Sequence, residues 1–296
     1  MQALLIIYKR SQFNKAFYLL IILYYLEVRY MFNMREMFQL TGKTVAVTGP
    51  TGYLGPVFIE ACAQMGANIA AIGRPQSEDK LSALCEKIKT TYGVEAKYYT
   101  FDILNEESVE ACAQSVKKDF GHIDGLINCA GVNCHGSVAD YTIEDYERLM
   151  TINICGTFNV SKHFGAIMCN DKKGSIVNIA SFSGTIVTLP PRTMSGYCTS
   201  KAGVLHMTRA LAGEFGEHNV RVNSISPGYL EHGMSHVKNF KVLNDSSIFE
   251  DTLKHTPMHR VGSPSELAGA VVYLLSDAST FTTGVDIVID GGFIIW

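Results

Sequence analysis

The sequence predicts an α/β fold: a single doubly wound parallel sheet of about seven strands with helices on both faces. Three observations carry this. After residue 44, short apolar runs alternate with amphipathic stretches about six times, and a final strand follows. The first apolar run leads straight into a glycine-rich turn, Thr48-Gly49-Pro50-Thr51-Gly52-Tyr53-Leu54-Gly55. The 296 residues are 47% hydrophobic and only 18% charged, enough for one sizeable core and too apolar for a disordered chain.

The elements follow in order. Strands are expected at 44–48, 68–72, 97–101, 123–128, 175–180, 220–225 and 286–289. Helices are expected at 53–65, 78–92, 106–120, 143–170, 195–215 and 265–275. Leu81, Leu84, Cys85 and Ile88 share one face of the second helix. The last strand runs into Asp290-Gly291-Gly292. This is the Rossmann-type arrangement, in which ligands bind at the carboxyl ends of the strands near the switch in strand order. No linker divides residues 38–296, which read as one dinucleotide-binding domain. The least regular long segment, 229–260, reads as a substrate lid.

A net charge of −3 leaves no electrostatic footprint for nucleic acid. The eight cysteines form no C-x-x-C pair and fall in apolar stretches, so they read as reduced, mostly buried thiols of a cytoplasmic protein, with no metal site. Residues 1–33 differ from the rest and lack Gly, Pro and Asp. Their longest uncharged run, from Ala16 to Leu26, is too short to span a membrane. Three readings stay open: a mis-called start with the true one at Met31, Met34 or Met37; an ordinary packed helix; or an amphipathic helix for a membrane surface or partner.

The glycine turn points to a pyrophosphate. Glycines let the backbone approach it, and the opening helix supplies free N–H groups. The second strand ends Ile72-Gly73-Arg74. An acidic residue there would hold a ribose 2′-hydroxyl, as for NAD. Arg74 suits a 2′-phosphate instead, which favours NADP(H) over NAD(H).

Tyr197 and Lys201 lie four apart on one helix face. Ser181 follows a strand sixteen residues upstream, and Asn153 lies in the long preceding helix. With these residues in order, the sequence resembles the short-chain dehydrogenase/reductase family over roughly 38–296. The resemblance rests on 48–55, Asp102, Asn128-Cys129-Ala130-Gly131, Asn153, Ser181, 197–201, Arg221-Val222-Asn223, Pro227-Gly228 and 290–292.

The resemblance implies roles. Tyr197 is the general acid in carbonyl reduction or the base in alcohol oxidation. Ser181 hydrogen-bonds the substrate oxygen. Lys201 binds the nicotinamide ribose and lowers the Tyr197 pKa, and Asn153 holds a water in a proton relay. Gly49, Thr51, Gly52, Tyr53, Leu54 and Gly55 cradle the cofactor, and Arg74, Asp102 and Ile103 meet its adenosine half. Asn128, Ala130 and Gly131 line its channel, and Pro227, Gly228 and Leu230 meet the nicotinamide. A homotetramer or homodimer is also implied, with 143–170 and 195–215 at one interface.

Two departures stand out. The usual pattern is G-x-x-x-G-x-G, and Tyr53 stands where its middle glycine would be. Similar loops occur in members acting on sugar acids. Four residues past Gly228, where a threonine is common, stands His232.

The lid carries His232, His236, Lys238, Lys241, Lys254, His255, His259 and Arg260, and the Ser181–Tyr197 loop carries Pro190-Pro191-Arg192. His135 follows the 128–131 motif and faces either the pocket or its own loop. A polar, basic lid suits a sugar, polyol or sugar acid, although solvation of a surface explains the charges equally well. The leading expectation is an NADP(H)-dependent enzyme interconverting a carbonyl and a secondary alcohol on such a substrate. A 3-oxoacyl or small-ketone reductase is the alternative within enzymes. A catalytically silent NADP(H)-binding protein is the alternative outside them.

Overall fold

Strand residues alternate between two apolar cores, and that alternation fixes the layers. Val45 and Val47 of β1 (Thr44–Thr48) face one core, and Ala46 faces the other. β2 (Asn68–Gly73) divides Ile69 and Ala71 from Ala70 and Ile72 in the same way. The other strands are β3 (Ala96–Thr100), β4 (Gly125–Asn128), β5 (Gly174–Ile179), β6 (Val220–Pro227) and β7 (Asp286–Ile289). All pair in parallel, in the order β3-β2-β1-β4-β5-β6-β7. The chain therefore reverses its winding direction between β1 and β4, and a crevice opens at their carboxyl ends.

This computed structural model describes residues 20, 24, 33–133, 138, 139, 141–187, 194–231 and 246–296. The chain divides into two units, Met1–Phe38 and Gln39–Trp296, and the sheet lies wholly within the second. In the first, Met34–Met37 forms one helical turn, capped by the Asn33 side chain. The remaining readings of 1–33 lie outside the described residues. Among those described, no helix is long and apolar enough to cross a membrane.

One face of the sheet carries α1 (Gly55–Gln64), α2 (Glu78–Tyr92) and a later helix over 268–275. Phe58, Leu81 and Leu274 seal that core. The other face carries α3 (Glu106–Phe120), α5 (Thr157–Asp171) and α6 (Ser195–Phe215), with Val116, Phe164 and Leu211 inside. The pattern over 143–170 is one helical path in three parts: α4 (Ile143–Met150), a π turn over Thr151–Gly156, then α5. Elsewhere the expected elements appear with ends shifted by a residue or two. The exception is 229–260, read as irregular, where α7 (Ser246–His255) forms; α8 (Ala268–Leu275) completes the set.

At the opposite end of the sheet, Asp124 is buried just before β4. Its carboxylate accepts from the Thr44 amide at 2.9 Å and pairs with Lys173 at 2.6 Å. It thereby sets the β1–β4 register from which the crevice opens. Asp124→Ala leaves the Thr44 amide without a partner and is expected to cost about 2 kcal/mol. Urea unfolding measures this, and a loss under about 0.5 kcal/mol would be that of an ordinary surface substitution.

Candidate functional site

The first half of the site is built on backbone contacts that exclude side chains. Gly49 has φ +66°, and a Cβ there would stand 2.9 Å from the Ala130 Cα. A Cβ on Gly55 would lie 2.4 Å from the Gly49 carbonyl oxygen. The glycine turn is thus folded tightly on itself and against the 129–131 segment. The Thr48 hydroxyl fastens the two, accepting from the Cys129 and Ala130 amides, each at 3.1 Å. Thr51 and Gly52 lie in the turn itself. Leu54 is the N-cap of α1 and gives no side-chain cap. The first-turn amides of α1 are therefore left for an anionic ligand.

At the end of β2, Arg74 is exposed and makes no ion pair among the described residues. At Gly73, a Cβ would press on the Leu81 side chain at 3.0 Å, so the position disfavours a carboxylate-bearing residue beside Arg74. Asp102 is exposed past β3, one carboxylate oxygen accepting from the Leu104 amide at 3.0 Å. Ile103 turns toward the π turn, within 3.1 Å of the Cβ position of Gly156, and its carbonyl accepts from Asn159. An uncapped helix end, a glycine cradle and an unpaired arginine at the far end fit a phosphorylated dinucleotide.

The second half lies past β4, β5 and β6. Pro227 ends β6, and Gly228 packs so closely on Asp290 that a Cβ would come within 2.5 Å of it. Leu230 is buried and bridges to Gly262. The Asn128 amide nitrogen is committed within the protein. It is buried and donates to Ser161 and Asn178, each at 2.9 Å, so it ties β4 to β5 and α5 beneath the site. Asn153 is similarly committed. Its amide oxygen accepts from Val132 N at 2.9 Å, and its nitrogen donates to Val132 O and Ser200 Oγ, each at 3.0 Å. Its side chain clasps the segment after Gly131; both amide hydrogens are used, and the amide oxygen keeps a second lone pair for a further donor.

Ser181, Tyr197 and Lys201 come together in one buried cluster, at 6, 7 and 7% exposure. The Ser181 hydroxyl is hydrogen-bonded to the Tyr197 phenol, and its oxygen also accepts from the Ser183 amide at 3.2 Å. Lys201 Nζ donates to the Ile179 carbonyl at 2.8 Å and stands 5.6 Å from the Tyr197 ring centroid. The expectation that Lys201 lowers the Tyr197 pKa is not met by the chain on its own. Burial pushes the phenol up to about 12, against a smaller downward pull from Ser181. Burial also lowers Lys201 to about 8, with the nearby Cys129 thiol acting weakly the other way. The ammonium is held by a backbone carbonyl, and its own charge is the one that desolvation penalises first.

Three features escaped sequence reading. Ser200 donates to the Tyr197 carbonyl at 2.8 Å and accepts from Asn153, linking α6 to the π turn. Phe182, Tyr229 and Phe293 form a ring cluster with centroids 5.1–5.4 Å apart, joining the Ser181 loop to the segment after Gly228 and to the C-terminal turn. The Tyr53 hydroxyl donates to the Glu231 carbonyl. Tyr53 at a glycine position was a visible signal, whereas its partner was not.

Where the lid is described, two of its basic residues are already engaged: His255 with Asp251, and Arg260 in a two-pronged pair with Glu266 at 2.7 Å. Cys134, His135, Pro190, Pro191, Arg192, His232, His236, Lys238 and Lys241 lie outside the described residues.

Fold and site define a dinucleotide-dependent oxidoreductase with a Ser–Tyr–Lys centre. A family model described as Enoyl-(Acyl carrier protein) reductase matches residues 54–294. The chain is 39% identical to an NADP-dependent mannitol dehydrogenase of Hypocrea jecorina, over 88% of this chain and 96% of that enzyme. It is 34% identical to a sorbose reductase of Candida albicans, over 88% and 90%. Among solved structures, an NADPH-dependent 3-quinuclidinone reductase from Rhodotorula rubra superposes with a TM-score of 0.79 at 32% identity, covering 89% and 96%. The chain belongs to the short-chain dehydrogenase/reductase family.

Lys201→Met tests the cost of the buried ammonium. Holding the lysine near pH 8 rather than 10.5 disfavours the folded state by about 3 kcal/mol at neutral pH. The sign is that of a lowered lysine: stability rises from pH 8 toward 10.5, where the group is neutral in both states. The variant is expected to melt several degrees higher at pH 7, less the lost bond to Ile179, with the gain shrinking toward pH 10.5. Calorimetry at the two pH values checks this, and a lower melting point at pH 7 would contradict it.

Proposed function

We propose that the protein interconverts a carbonyl and a secondary alcohol on a small polyhydroxylated substrate, with NADP(H) as cofactor. The observation that carries this is the hydrogen-bonded Ser181–Tyr197 pair backed by Lys201. Two hydroxyls that reach each other can also share one substrate oxygen between them. Ser181, its own oxygen fixed by the Ser183 amide, is free to donate. Tyr197 keeps its proton at neutral pH, so it is poised to deliver it to a carbonyl oxygen as hydride arrives at carbon. Bound NADPH supplies that hydride, or NADP+ accepts it in reverse. Lys201 holds a positive charge behind the phenol, where negative charge develops when the proton leaves.

In this reading Gly49, Thr51, Gly52, Tyr53, Leu54 and Gly55 hold the phosphates. Arg74 takes the 2′-phosphate, and Asp102 and Ile103 flank the adenine. Ala130 and Gly131 line the channel, shaped by Asn128 and Asn153. Pro227, Gly228 and Leu230 meet the nicotinamide, and 229–260 covers the substrate. The names of the relatives support a polyol or keto sugar. The paired state of His255 and Arg260 removes part of the case for an anionic sugar acid. A 3-oxoacyl or other small-ketone reductase is the second reading. A homotetramer or homodimer in the cytoplasm completes the proposal, with support for a reducing compartment from seven free cysteines among the described residues.

The test follows NADPH and NADH oxidation by absorbance with keto sugars, keto sugar acids, 3-oxoacyl thioesters and simple diketones. Turnover with keto sugars is expected, preferring NADPH. It should fall at least 1,000-fold in Tyr197→Phe, on the scale of losing a positioned proton donor. Arg74→Ala is expected to remove most of the NADPH preference. Turnover only with thioesters would favour the second reading. Tight NADPH binding without turnover on any class would leave a silent binding protein.

The pH profile has a definite sign. The Lys201 ammonium is present below about pH 8 and lost above it, while the phenol stays protonated throughout. kcat/KM for reduction is therefore expected to be level below pH 8 and to decline above it. A profile that rises from pH 7 to 10 would contradict this assignment.

A further inference from the structure

Tyr53 stands in the glycine turn between Gly52 and Gly55, and its hydroxyl reaches across to the Glu231 carbonyl. The two residues follow strands that are not neighbours. Tyr53 follows β1 and Glu231 follows β6, with β4 and β5 between them. Three strand spacings of about 4.8 Å put those strand ends roughly 14 Å apart. The bond therefore spans the crevice in which a dinucleotide lies at a switch point.

Both ends of the bond are anchored. Tyr53 packs on the α1-side core, and the turn beside it is fixed by the close contact of Gly55 with Gly49. Glu231 donates its amide to Gly262 O at 2.8 Å, and Gly262 donates to Tyr229 O at 2.9 Å. Tyr229 in turn stacks against Phe182, the residue after Ser181. Tyr53 is thus joined, through Glu231 and Tyr229, to the wall that carries the catalytic serine.

We propose that Tyr53 is a positioning residue for the cofactor: its phenol ties the phosphate loop to the nicotinamide-side loop and fixes the distance between the two ends of the cleft. The inference rests on the NADP(H) reading. A ligand that spans both ends should feel the bond, and a ligand confined to one end should not. 2′,5′-ADP occupies only the adenosine end, so it serves as the internal control.

The experiment is calorimetric titration of the full chain and of Tyr53→Phe and Tyr53→Gly with NADPH and with 2′,5′-ADP. The expected result is that Tyr53→Phe weakens NADPH about fivefold or more, the scale of one hydrogen bond, with 2′,5′-ADP unchanged within twofold. Tyr53→Gly should weaken NADPH at least as much. Unchanged binding of the fragment shows that the phosphate loop is still folded, so loss of fold cannot mimic the result. Unaltered or tighter NADPH binding in Tyr53→Phe would overturn the proposal, the latter by making the bond a barrier to entry. Equal weakening of both ligands would also overturn it, by assigning Tyr53 to the loop's own shape. Failure of the unaltered protein to bind either nucleotide would overturn the cofactor reading itself, a result distinct from the other three.

Discussion

A lysine ammonium buried without a carboxylate partner among the described residues is the constraint on which the rest of this site depends. Lys201 is held by one backbone carbonyl, that of Ile179 at the end of β5, and lies behind the Tyr197 ring. Removing a charge from water in this way is unfavourable, and well-packed proteins avoid it unless function requires it. The fold supplies what keeps the charge in place. β5 is central, buried along its whole length, and bonded on both sides by β4 and β6. The carbonyl that receives the ammonium therefore cannot drift away from it.

The polar groups around this pair form scaffolding more than a lining. Asn128 joins Ser161 to Asn178, and Asn178 passes the link to Thr208 of α6. Asn153 and Ser200 do the same between the π turn, the 130–132 segment and α6. Each bond is worth about 1 kcal/mol net. Their larger effect is geometric. They fix α6 against β5, and α6 carries both Tyr197 and Lys201. Catalytic precision of this kind rests on supporting bonds that do not touch the reacting atoms.

Much of this was legible in the chain because it rests on local spacing. The four-residue separation of Tyr197 and Lys201 put them on one helix face, and the strand-to-glycine transition at Thr48-Gly49 marked the start of the cleft. Arg74 beside Gly73 pointed to NADP(H), the cofactor named for the mannitol dehydrogenase relatives. What was not legible depends on contacts between distant segments. The side-chain partners of Asn128 and Asn153 come from other elements, so the ties these two residues make could not be read from the chain. The α7 helix was missed because 246–255 is short, and the pairing of Arg260 with Glu266 could not be read from the chain. The burial that holds the Tyr197 phenol high in the cofactor-free chain was not legible for the same reason. A neighbouring charge can be read from spacing, whereas desolvation depends on how completely the fold closes over the phenol.

The central claim is that this chain alone keeps Tyr197 a neutral phenol beside a weakened Lys201 cation. The direct measurement is a pH titration of the cofactor-free protein carrying ¹³Cζ-labelled tyrosine, followed by NMR, with Tyr197→Phe assigning the resonance. The account predicts that the Tyr197 signal stays at its protonated position through pH 10. A midpoint near pH 7 without cofactor would contradict it, because Lys201 would then be overcoming burial unaided.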